Sequence, residues 1–144
     1  MRPDIVSLAV RSAAVGLCLV LAGLGGPAAG AADPPITVEI VVAPNVINVR
    51  GAGVRLTVHA DIPYSAVDAA TVEIADDLGN RVAMDWCKAD DRGDFVAKFV
   101  LDEVVAGLEL RPDVINNLTL LGRTVDGAEF AGSDGVKVID RSGR

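Results

Sequence analysis

Histidine and cysteine are almost missing from this sequence, which has one His and two Cys in 144 residues, and aromatic side chains make up only 3% of it. Each scarcity removes a kind of chemistry. Four-coordinate zinc draws on several Cys and His ligands, yet Cys18 lies in the N-terminal segment, leaving Cys87 and His59 alone in the body of the chain. Zinc is therefore excluded, and so is a disulfide within the body of the chain. A nucleophilic triad needs a Ser or Cys beside a base. Any such base would have to be His59, and the only hydroxyl nucleophiles of the serine type after residue 31 are Ser65, Ser133 and Ser142. None sits in a recognisable nucleophile elbow. The alternation around His59, between Thr57 and Asp61, points it to solvent.

Positive charge is also short. Lys and Arg total 13 against 20 Asp and Glu, and no basic stripe with interleaved aromatics appears. An acidic surface repels phosphate backbones and anionic lipid, which argues against nucleic acid as a partner. Gly51, Ala52 and Gly53 do not make a phosphate loop, because Leu56 stands where a third glycine belongs and no helix follows.

What is present begins with an export signal. Arg2 and Arg11 precede an apolar run from Ala13 to Leu24, and small residues follow around Pro27. Charge, apolar core and small residues in that order describe a secretory leader. Ala29 and Ala31 fit the small side chains needed at positions −3 and −1, so cleavage is expected after Ala31, with the bond after Ala32 as second choice. A membrane anchor needs about 20 strongly apolar residues, and this run is shorter. Leu17 before Cys18 is wrong for a lipobox. The expected organisation is a signal peptide over 1–31 and one domain over 32–144, secreted or periplasmic and free of the membrane after cleavage. That domain carries 11 basic and 19 acidic side chains, a net charge of −8.

Along the domain, period-two alternation of β-branched residues predicts strands. They fall at Ile36–Val42, Val46–Val49, Val54–His59, Thr71–Ala75, Arg81–Trp86, Phe95–Val100, Val114–Thr124 and Val136–Ile139. Val82, Met84 and Trp86 are expected on one face of the fifth. A capping-box spacing from Ser65 to Asp68 predicts a helical turn, and Asp102 is placed to cap one short helix through Gly107. Turns are expected at 76–80, at Asp126–Gly127 and at Ser133–Gly135. About eight short strands and one short helix predict an all-β, immunoglobulin-like antiparallel β-sandwich.

Three stretches share an order and spacing. They are Pro44-Asn45-Val46-Ile47-Asn48, Asp94-Phe95-Val96-Ala97-Lys98-Phe99, and the run from Gly122 to Asp134 that contains Thr124, Asp126, Gly127, Phe130 and Gly132. Together they resemble a β-sandwich module of many secreted bacterial proteins, a largely uncharacterised family with a calcium-type, Asp-rich loop. The resemblance implies the sandwich fold and assigns no chemistry. In that module oxygen ligands alternate before the Asp-x-Val strand, as calcium requires. Here Trp86 and Lys88 replace two of them, leaving Asp90, Asp91 and Asp94 as the candidate ligands of a degenerate loop.

The leading expectation is a secreted, non-catalytic β-sandwich module with a structural, adhesion or binding role and an extracellular or cell-surface partner. No cofactor is expected apart from calcium. A calcium-binding extracellular module using the Asp90–Asp94 loop is one alternative. Acids are plentiful enough to form a glycosidase-type pair, which keeps a small exported hydrolase as another. Arg92, Gly93 and Asp94 spell an adhesion tripeptide on an expected hairpin. Cys87 would face outward and favour a disulfide dimer if Trp86 faced inward, with burial at the strand end as the other expectation.

Overall fold

The computed structural model describes residues 33–142. The expected leader over 1–31 lies outside the described residues. The domain is an all-β sandwich of two sheets, as the alternation predicts, with ten strands where about eight were expected.

The strands are β1 Ile36–Thr37, β2 Ile40–Ala43, β3 Val46–Asn48, β4 Arg55–Pro63, β5 Val67–Ala75, β6 Arg81–Ala83, β7 Trp86–Ala89, β8 Asp94–Val100, β9 Ile115–Thr124 and β10 Glu129–Ile139. One helix, α1, covers Leu101–Gly107. The larger sheet runs β1-β10-β9-β5-β6, with β3 also beside β10, and the smaller runs β2-β4-β8-β7. All pairings are antiparallel except those of β1 and β3 with β10. Between the sheets lies one core, in which Phe95, Phe99, Phe130, Leu56, Leu118 and Leu120 are among the side chains with essentially no exposed surface. Burying each contributes about 1.5–3 kcal/mol. Alternation holds throughout β4, where Leu56, Val58, Ala60 and Ile62 are buried and Arg55, His59 and Asp61 are exposed.

Two expected strands are divided, each because the chain changes sheets. At the first change the Val38 amide donates to Ala131 O in the larger sheet, whereas the next residue, Glu39, accepts from the Asp61 amide in the smaller. Room for the crossing comes from Gly132: a Cβ there would stand 2.3 Å from Val38 O. At the second, the Met84 amide donates to Val72 O and the neighbouring Asp85 amide to Lys98 O. Alternation does not carry through such a crossing. Trp86 therefore does not follow Val82 and Met84 inward but stands 44% exposed. Both flanks of the sandwich are thus closed by the chain itself.

Ser133, Asp134 and Gly135 do not turn the chain. They lie inside β10, whose first residue is Glu129, and the Asp134 carboxylate accepts the outward Val42 amide of edge strand β2 at 2.9 Å. The helical turn expected from Ser65 is a 3-10 turn over Tyr64–Ala66 with no side-chain cap. After it, β5 begins at Val67 and bulges between Asp68 and Glu73. Thr71 fills the bulge, donating its hydroxyl to Asp68 O and accepting the Arg123 amide. Helix α1 follows the expected span, but Val100 is its N-cap and Asp102 sits in the first turn, where a carboxylate favours the positive end of the helix.

Candidate functional site

The hairpin joining β7 to β8 brings Asp90, Asp91 and Asp94 to one end of the sandwich. It closes through the Asp90 amide to Asp94 O and the Gly93 amide to Asp90 O. Gly93 takes φ 89°, a region that glycine alone enters without strain. Asp90 is an internal brace: its Oδ1 accepts the amides of Arg92 at 2.8 Å and Asp94 at 3.0 Å. Those donors, the Asp94 amide foremost, hold its carboxyl below the ordinary carboxylate range. Asp94 is half-buried and pairs through Oδ2 with Arg92 Nη2 at 3.3 Å, while Asp91 is exposed. Among the described residues, no group of three or more His, Cys, Asp or Glu side chains has metal-ligand spacing. In the Arg-Gly-Asp stretch the two charged side chains fold onto each other instead of diverging.

His59 projects from the outer face of the smaller sheet, between Val41 and Val96 in register, and among the described residues hydrogen-bonds to no nucleophile. Ser65 is exposed in the 3-10 turn, and Ser133 shares a 2.8 Å hydrogen bond with Thr119 across the other sheet. Cys87 is half-buried against the core side of β7, with its Sγ 4.0 Å from Tyr64 Oη. That contact raises the Tyr64 pKa. The Tyr64 ring in turn stacks on Phe95, 6.0 Å between centroids.

Trp86, Lys88 and Lys98 share the outer face with His59. Lys98 Nζ donates to Thr57 Oγ1 at 2.7 Å. Sequence alternation missed this face because it assigned Trp86 to the inner side. Past the crossing at Asp85, whose carboxylate pairs with Arg55, Trp86 joins the smaller sheet opposite the outward Lys98 and takes the outer face with it. An acidic residue between Met84 and Trp86 was the available signal.

A second polar site was also missed. Asp76, at the end of β5, accepts four hydrogen bonds at 2.8–2.9 Å: from the amides of Leu78, Asn80 and Glu109 and from the Asn80 side chain. Partial burial opposes its ionisation, but the four donors outweigh that and lower its pKa to about 2. Below it, Asn116, the one buried polar side chain among the described residues, accepts the Arg111 amide and donates to the carbonyls of Arg111 and Val114. Asp76, Asn116 and Arg111 line a cavity of about 180 Å³; the polar groups of Asn116 are turned toward the backbone, and those of Asp76 toward three backbone amides and the Asn80 side chain.

No family model matches the chain, and no curated protein matches it.

Proposed function

We propose that the chain is a secreted, non-catalytic β-sandwich module that acts through its outer surfaces in a structural, adhesion or binding role. The observation that supports this most is the way the reactive side chains are engaged. Asp76, Asp90 and Asp134 hold backbone amides, and His59 hydrogen-bonds to no nucleophile among the described residues. With both flanks crossed by the chain and the core filled, recognition falls to the faces and loops. No helix among the described residues is long and apolar enough to cross a membrane.

Two measurements test the reading. Turnover of an ester, peptide or glycoside that is abolished by Asp61→Asn or Glu39→Gln would overturn it in favour of a hydrolase. Titration with millimolar calcium is expected to leave the melting temperature unchanged. A calcium-dependent rise lost in Asp90→Asn and Asp94→Asn would instead assign the module to calcium, because a ligand that binds only the folded state stabilises it.

A further inference from the structure

The outer face of the β2-β4-β8-β7 sheet gathers carboxylates at one end and carries Arg55 and Lys98 toward the other. Arg55, Thr57, His59 and Asp61 point outward in turn along β4. Asp61 lies beside Glu39 at one end, where the β7–β8 hairpin adds Asp90 together with Arg92, the latter paired with Asp94. Lys98 stands in register with Thr57, on the Arg55 side of Val58, whereas Lys88 stands level with Val96 and His59, on the side of the acids. Glu39, Asp61, Lys88 and Lys98 form no ion pair with any described residue, whereas on the larger sheet Arg81 pairs with Glu73 and Arg123 with Glu129. At the two borders of the smaller sheet Val41 is 61% and Trp86 44% exposed.

Turned end over end, this face complements itself. The row Val42–Val58–Ala97–Cys87 crosses all four strands. A two-fold axis along that row, midway between two copies packed face to face, exchanges residues equally far above and below it. Asp61 of one copy then lies over Arg55 of the second, and Lys88 over the Trp86 ring. An axis parallel to the strands would instead set acid over acid, so only one of the two face-to-face arrangements is favourable.

We propose that the chain forms a two-fold dimer through this face, Asp61 of each copy against Arg55 of the other and Lys88 of each against the other's Trp86. An interface of this symmetry must be self-complementary, and sheets pack face to face at about 10 Å. Arg55 keeps Asp85 and gains a second carboxylate, while an ammonium over an indole face adds a cation–π contact. The four strands hold 24 residues, which at roughly 16 Å² of sheet plane per residue gives about 380 Å² per copy and on the order of 750 Å² in all, the low end of weak and reversible association. This dimer does not depend on the non-catalytic reading.

Sedimentation velocity of the full chain, purified as it accumulates in the expression host and kept reduced, tests the proposal. A reversible monomer–dimer equilibrium is expected between about 1 µM and about 500 µM. Asp61→Arg alone and Arg55→Asp alone should each weaken it about tenfold or more, and the two together should restore it to within about threefold. Should Arg55→Asp fail to fold by circular dichroism, Lys88→Glu replaces it, with at least about threefold weakening expected from the lost ring contact. The proposal is overturned by a monomer throughout the range, by a dimer that forms only without reductant and disappears in Cys87→Ser, or by one indifferent to these charge changes. Failure of the double reversal to restore association overturns it too.

Discussion

Replacing Asp76 by Asn keeps its shape and removes its charge. The four donors around it, three amides and the Asn80 side chain, would then face a group with only one acceptor oxygen. The pKa near 2 against an ordinary 3.8 corresponds to about 2.4 kcal/mol at ~1.36 kcal/mol per unit, which solvent contact at a partly exposed carboxylate reduces to about 1–2 kcal/mol. A donor turned against donors returns some of that difference, so Asp76→Asn is expected to lose about 2 kcal/mol at neutral pH. The sign with pH follows from the folded pKa lying below the unfolded one. The contribution is complete above the unfolded value and is lost as pH falls from 3.8 through 2. Urea unfolding followed by far-ultraviolet circular dichroism should therefore show a constant gap between native chain and variant above about pH 5, narrowing below about pH 4. A gap under about 0.5 kcal/mol at pH 7, or one unchanged at pH 2, would refute this account of the carboxylate.

Gly132→Ala forces a Cβ against the Val38 carbonyl and Ile40 Cγ2. It should cost about 3 kcal/mol or more, whereas Gly135→Ala, which meets only Ile115 Cγ2 at 3.0 Å, should cost under about 1 kcal/mol; paired thermal melts compare them. Asn116→Asp turns a carboxylate toward the carbonyls of Arg111 and Val114 and should destabilise by about 3 kcal/mol at pH 7. That carboxyl would have a raised folded pKa, so stability should recover on acidification, and loss of stability on acidification would contradict the assignment.

Period-two alternation was enough to find the sandwich, because Val54–His59, Phe95–Val100 and Val114–Thr124 each have one buried and one wet face or are covered on both. It could not say which sheet a strand joins. Ile36–Val42 and Arg81–Trp86 look continuous, yet each breaks where neighbouring amides find acceptors in different sheets. Ser133-Asp134-Gly135 carries turn chemistry but is held extended by its pairing with Asn117–Thr119 of β9 and by the Val42 amide, distant in sequence. The candidate site divides the same way. Turn residues placed Asp90, Asp91 and Asp94 at a hairpin tip, since their bonds are local. Asp76 reaches Glu109 across 33 positions, and no local pattern carries such a contact.

Both β1 and β3 run parallel to β10, the last strand, and bond to opposite ends of it. Tension applied to the segments flanking the domain would drag the first strands and the last in opposite directions along their common ladder. The bonds from Val38 to Ala131, from Lys137 to Asn45 and from Val49 to Ile139 would then be sheared together instead of peeled one at a time. Joined this way, the domain yields to pulling only when several hydrogen bonds fail at once.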